Sequence, residues 1–255
     1  MTRKKKNSLV FVVVDSCRYD SWVDAKPDPK APWGKAEKRY TGNNWTVSSV
    51  ASLLTGMLPF KLTKGQNGQH RSLTADSDVW REMTGCKLEY GVTIWMPFLL
   101  QQANYYTLAL SSISLVNTRS IFKMNFDNFF YNAGSTLQRK FDIMQSLTGC
   151  GEPNPGERSK FFAYIHTHET KWPFVKTAEG ERYKGKDERK KQICTIQEYI
   201  FPALEHLLTI LDPGTWVVVT ADHADVFGDD GLYGHGHQIH PKTYEVPFVR
   251  FQIPN

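Results

Sequence analysis

The run Trp216-Val217-Val218-Val219-Thr220 leads without a spacer into the most crowded polar loop of the chain. A short β-branched run suits a strand covered on both faces, and open α/β sheets gather ligand groups beyond the carboxyl ends of such strands. That position here holds Asp222 and His223, then Asp225, Asp229, Asp230, His235, His237 and His240. A lone histidine in a Gly-rich loop is more often a solvated side chain than a ligand. An Asp-His pair on the tip of a strand is more specific, because carboxylate and imidazole donors held rigidly suit Zn or Mn.

The pattern recurs. Residues 9–14, Leu-Val-Phe-Val-Val-Val, end in Asp15, so two parallel strands would bring Asp15 beside Asp222. Residues 161–165 run into His166, His168, Glu169 and Lys171. Between them, Val47, Val50, Ala51 and Leu54 fall at helical spacing, Gly56 suits a C-terminal cap and Pro59 prevents continuation. Thr46 then starts the helix, two residues after Asn44. Its hydroxyl serves equally as a cap or as a reactive group at a helix end that favours anions.

The remaining pattern gives a helix over 92–104, a strand over 106–110, an aromatic edge over 126–130 and a helix over 135–147. A long amphipathic helix spans 191–211 with a kink at Pro202, and a last strand covers 246–251. Residues 24–39 read as an irregular surface connection, 60–74 and 149–157 as loops, and 176–191 as a charged, solvated run. Strands alternating with helices predict an α/β fold: a doubly wound, mainly parallel sheet flanked by helices, in a single domain over 1–255.

The net charge of +5 gives a weak preference for anionic ligands. Basic residues do not interleave with aromatics, which argues against nucleic acid. The apolar run 9–14 is too short for a signal core or a transmembrane segment. The four cysteines, Cys17, Cys86, Cys150 and Cys194, show no framework spacing and predict reduced thiols in a cytoplasmic protein. Oligomeric state is open, a homo-oligomer included.

Together these segments resemble the sulfatase branch of the alkaline phosphatase superfamily. VFVVVDSCRYDSW resembles its first strand and acidic turn, WTVSSVASLLTGMLP its nucleophile helix, FFAYIHTHETKWPF its substrate loop, and TADHADVFGDDGLYGHG with YEVPFVRF its metal pair and final strand. The resemblance implies a metal-dependent hydrolase or transferase of small anionic esters, phosphate or phosphonate, with Thr46 as nucleophile and a covalent phospho-enzyme. It assigns Asp15, Thr46, Asp222 and His223 to a divalent ion, Zn or Mn, with Ca or Mg as alternatives. Lys171 and His235 join Thr46 as catalytic residues, and Asn44, His168 and His237 bind substrate. A second ion would draw on His166, Glu169, His237 or His240.

Sulfatases make a formylglycine from Cys or Ser in a Cys/Ser-x-Pro-x-Arg signature, whereas Thr46, Ser48 and Val50 stand at those positions here. Threonine cannot give that aldehyde, so phosphoryl chemistry is expected. A sulfatase using Ser48 or Ser49, or a binding module that keeps the fold without turnover, are the alternatives. The resemblance also implies that the usual C-terminal subdomain is lacking and that the cleft is open or completed by a partner subunit.

Overall fold

Each of the three apolar runs that end in polar residues becomes a strand, and the three are neighbours. The computed structural model describes residues 7–56, 95–118, 122–123, 126–150, 160–174, 187–236 and 239–254. Expectations for 60–74, most of 149–157 and 176–186 fall outside these residues, as do Cys86 and His237.

Along the chain the elements are β1 (Leu9–Val14), α1 (Tyr19–Asp24), β2 (Glu37–Tyr40), α2 (Thr46–Thr55), α3 (Met96–Gln102), β3 (Tyr105–Ser111) and β4 (Asn128–Tyr131). They continue with α4 (Leu137–Thr148), β5 (Lys160–Thr167), α5 (Glu188–Thr195), α6 (Phe201–Ile210), β6 (Trp216–Thr220), β7 (Val226–Phe227), β8 (Tyr233–Gly234) and β9 (Glu245–Gln252). Among the described residues seven strands form one sheet in the order β2-β9-β6-β1-β5-β3-β4. The block from β6 to β4 is parallel, while β9 and β2 join antiparallel at one edge. This is the mainly parallel, helix-flanked architecture expected from the alternation of periods.

The central strand shows why its sequence is apolar throughout. Val10, Val12 and Val14 pack with Leu137 and Phe141 of α4 and Leu204 of α6 on one face. Phe11 and Val13 pack with Val47, Val50 and Leu54 of α2 on the other. With both faces covered, alternation disappears. Val13 is in register with His166 on β5 and with Thr220 on β6. The three strands therefore end level, and their polar successors emerge together.

Three local expectations are corrected. Residues 24–39 are not wholly irregular, because β2 pairs with β9 and Arg39 stacks over the Phe248 ring at 5.3 Å. β5 continues to Thr167, so His166 is a strand residue rather than a loop residue. The helix over 191–211 starts earlier, and a single π turn, Ile196–Ile200, precedes Pro202. The proline then sits in the first turn of α6, where its missing N–H costs least. No helix among the described residues is long and apolar enough to cross a membrane.

Candidate active site

Beyond Val14 the chain reverses within three residues, and Cys17 N–H closes the turn on the Val14 carbonyl at 3.2 Å. Ser16 adopts φ 60°, a left-handed conformation that non-glycine residues rarely take. The conformation aims two donors at two different acids. Its backbone N–H donates to Asp222 Oδ1 at 3.2 Å, and its hydroxyl donates to Asp15 Oδ1 at 2.8 Å. His223 N–H adds a second bond to Asp222 Oδ1 at 2.9 Å. Strand ends and a strained turn thus fix both carboxylates before any ligand arrives.

Asp15, His166, Asp222, His223 and Thr46 are all fully buried. His166 Nε2 lies 3.7 Å from Asp15 Oδ2 and 3.8 Å from Asp222 Oδ2, and His223 Nε2 lies 3.4 Å from Asp222 Oδ2. Thr46 is the first residue of α2 and makes no capping bond, as Trp45 holds the cap position. Its hydroxyl instead meets His223 Nε2 at 3.1 Å. The capping alternative for Thr46 is therefore not the one realised.

Two atoms at the centre, His166 Nε2 and Asp222 Oδ2, are buried and have no hydrogen-bond partner among the described residues. Such orphans are costly unless a cation or water completes them. One donor atom each from Asp15, His166 and Asp222 fits within 4.8 Å, the spacing of ligands around a single ion. His166 is steadied from behind, where its Nδ1 shares a hydrogen bond of 3.0 Å with the Tyr164 hydroxyl. The donor set suits a divalent cation.

The charges point the same way. Burial alone would raise the Asp15 pKa, but Lys171, His223 and His166 outweigh it and hold the carboxyl below the usual range. Asp222 is pushed up to about 6 by burial and by the charge of Asp15. Only Asp15 has an ammonium in contact, so Asp15 is the ionised member of this coupled pair and Asp222 the one that takes up a proton. Burial, then the neighbouring His235, lower His223 to about 3, and burial lowers His166 as well. Both imidazoles are neutral near pH 7, as ligands must be.

The outer residues divide. Lys171 Nζ bonds both Asp15 oxygens at 3.0 and 3.2 Å, and Asp15 and Asp222 outweigh the burial that would lower its pKa. His235 Nδ1 pairs with Asp225 Oδ1 at 2.6 Å, and its ring lies 4.1 Å from that of His223. Gly236 lets the loop lie against Trp45: its N–H bonds the Asn44 carbonyl at 3.0 Å, and at φ 80° an added Cβ would stand 3.1 Å from the Trp45 ring. The Asn44 side chain reaches Thr243 Oγ1 at 3.5 Å, and His168 Nδ1 meets Ser112 Oγ at 2.9 Å.

His166 is nearer the centre than its suggested role at a second ion implied. Asp225, not singled out as a site residue, forms with His223 and His235 an adjoining group of potential ligands. Glu169 is withdrawn as a ligand, because its carboxylate accepts from Leu137 N–H at the start of α4 and from the Thr167 hydroxyl. His240 is engaged elsewhere, with Lys242 N–H at 3.1 Å and Asp230 at 3.3 Å.

No family model matches the chain, and no curated protein matches it in sequence. Solved structures do. The C-terminal periplasmic domain of EcEptC from Escherichia coli, in complex with Zn, is 12% identical at a TM-score of 0.62, covering 98% of this chain and 74% of that one. A protein in the alkaline phosphatase superfamily from Vibrio parahaemolyticus is 16% identical at a TM-score of 0.61, covering 98% and 60%. The chain has the alkaline phosphatase-like fold. The C-terminal periplasmic domain of the phosphoethanolamine transferase EptC from Campylobacter jejuni shares that fold at 11% identity and a TM-score of 0.60, covering 98% and 80%.

These neighbours overturn the cytoplasmic location, since two of the three are periplasmic domains. The thiols were a poor guide for a physical reason. Cys17, Cys150 and Cys194 are buried, out of reach of oxidants and partner thiols in any compartment.

Proposed function

We propose that the protein cleaves or transfers a phosphoric ester outside the cytoplasm, through a covalent phosphothreonine at Thr46. In this reading Asp15, Asp222, His223 and the Thr46 hydroxyl hold a divalent cation, Zn or Mn, with His166 against the same carboxylates. The observation that carries it is the Thr46 hydroxyl, buried at the start of α2 and 3.1 Å from His223 Nε2. Phosphoethanolamine transferases with this fold support phosphoester chemistry. Ser48 and Ser49 favour it over the sulfatase alternative, as their hydroxyls are bonded to the Trp45 carbonyl at 3.0 Å and the Asn43 carbonyl at 2.7 Å.

His223 would hold the cation beside the nucleophile rather than deprotonate it. With a pKa near 3 it is a weak base at neutral pH. Its Nδ1 faces the Ala224 carbonyl at 3.3 Å, which assigns the proton to Nδ1 and the lone pair to Nε2, toward Thr46. The cation, when bound, supplies what the imidazole does not: a lower hydroxyl pKa and neutralisation of ester charge. Lys171 and the amides at the start of α2 hold the non-bridging oxygens. Thr46 gives its proton to solvent; as its oxygen–phosphorus bond forms, the ester phosphorus–oxygen bond breaks, and His235, fixed by Asp225, gives the leaving oxygen a proton and takes one back from the incoming water or alcohol. Water or a second alcohol then takes the phosphoryl group from Thr46, restoring the hydroxyl.

Turnover of an aryl phosphodiester with Mn or Zn tests the reading. Thr46→Ala is expected to lose about ten-thousand-fold in kcat, and peptide mapping of the quenched native enzyme to find the remaining phosphoryl ester of the substrate on Thr46. Equal rates for the two proteins reject Thr46 as nucleophile.

A further inference from the structure

We propose that Gln192 is a positioning residue that holds two charged groups of the site, Asp15 and Lys171, in register with each other. This rests on the function proposed above. Gln192 stands on α5, four residues before Ile196 and eight before Ile200, on the stripe that faces the core, and it is fully buried. A polar side chain there must be bonded at both ends.

Its carboxamide is engaged at three points. Nε2 donates to the Ser16 carbonyl at 2.9 Å and to the Thr170 carbonyl at 3.0 Å, while Oε1 accepts from Arg18 N–H at 3.2 Å. Ser16 directly follows Asp15, and Thr170 directly precedes Lys171. One side chain thereby ties the turn after β1 to the turn after β5, and those turns carry the two partners of the 3.0 Å ion pair. The Thr170 hydroxyl adds a link in the same place, donating to the Asp15 carbonyl at 2.6 Å.

The arrangement answers a specific difficulty. Ser16 is held in a left-handed conformation so that its N–H and hydroxyl can reach Asp222 and Asp15, which leaves its carbonyl turned inward. Gln192 satisfies that carbonyl and stabilises the strained turn from behind. An apolar residue of equal length would suit the buried stripe just as well, but would strand three backbone groups. The amide is therefore matched to the two turns rather than to the core.

Gln192→Met removes all three bonds at nearly constant volume. It is expected to weaken Mn binding, measured by calorimetry on the metal-depleted protein, by about ten- to a hundredfold, and to lower kcat by a similar factor. The cycle with Lys171→Met separates positioning from simple destabilisation. If Gln192 acts through the Asp15–Lys171 pair, its substitution in the Lys171→Met background costs at most about threefold in kcat, whereas independent effects multiply. Thr170→Val removes another link between the same turns and gives the same non-additive pattern if Gln192→Met does not fold.

Gln197→Met, which removes a bond from the same helical segment to the Ala25 carbonyl at 3.1 Å, is the control and keeps native kcat and metal affinity. Native metal affinity in both Gln192→Met and Thr170→Val, multiplicative losses with Lys171→Met, or equal losses in Gln197→Met overturn the proposal. A native protein that binds Mn yet turns over no ester sinks the proposed function instead, and the calorimetric comparison still decides the role of Gln192.

Discussion

Arg18 and Lys171 each stand against aspartates at the carboxyl end of the sheet, but the two settings differ in what is left over. The Arg18 guanidinium is forked twice, to both Asp20 oxygens at 2.7 Å and to Asp229 at 2.6 and 3.3 Å, and it also reaches the Asp225 carbonyl at 3.4 Å. Lys242 adds a further bond to Asp20 at 3.2 Å, and the Phe227 ring lies 5.4 Å below the guanidinium. Burial alone would lower the Arg18 pKa, but Asp20 and Asp229 keep it charged. Around Lys171 the accounts do not close. Among the described residues its ammonium bonds only Asp15, while Asp222 Oδ2 and His166 Nε2 have no hydrogen-bond partner. A saturated network is a strut, whereas a cluster with surplus donor atoms is prepared for something that is not protein.

The largest effect that would break this comparison is on the strut. Arg18→Met leaves Asp20 and Asp229 without their shared cation and is expected to cost about 3 kcal/mol in urea unfolding. A cost below about 1 kcal/mol would class the network with ordinary surface pairs. Asp222→Asn should move the other way. The amide keeps an oxygen for the Ser16 and His223 N–H groups but removes the charge that burial and Asp15 oppose. At pH 7.5 the metal-depleted variant is expected to be more stable than the native chain by about 2 kcal/mol, and Mn should no longer raise its melting temperature. A less stable variant would make Asp222 a strut like Asp229.

The two regions were unequally legible in the sequence. The convergence of Asp15, Thr46, Asp222 and His223 could be anticipated because each stands at a strong periodic signal: the end of an unbroken apolar run or the start of a capped helix. The α/β architecture followed from the same runs. His166 was harder to place, because it lies inside β5 and the apolar run stops one residue before it; only the register with Val13 shows that it ends level with Asp15. Gln192 did leave a trace, as a polar residue in step with Ile196 and Ile200, but the spacing names no partner 176 residues away. β2 gave no apolar signal because all four of its residues are exposed at the sheet edge. The Arg18 network left no trace either, since its members read one by one as solvated charges.

The smallest effect separates the regions by the sign of their pH dependence. Asp20 is held below the ordinary carboxylate range: burial would raise it, but the Arg18 hydrogen bond and the charges of Arg18 and Arg189 outweigh that. A depressed folded-state pKa stabilises the fold above the unfolded value near 3.9 and loses that contribution as pH falls through the folded value. Asp222, raised to about 6, does the reverse: its contribution is whole below the unfolded value and is lost as pH climbs through about 6. Asp20→Asn should therefore cost about 1 kcal/mol at pH 7, a figure reduced for the partial exposure of Asp20, with the deficit shrinking below pH 4. The gain from Asp222→Asn is instead absent at pH 4, where the Asp20→Asn deficit still stands, and grows between pH 4 and 7. Urea titrations of both variants across that range, on metal-depleted protein, should give difference curves of opposite sign. Two curves of the same sign would mean that the site carboxylates are as fully compensated as those around Arg18, and the case for a cation between Asp15, His166 and Asp222 would fall with that result.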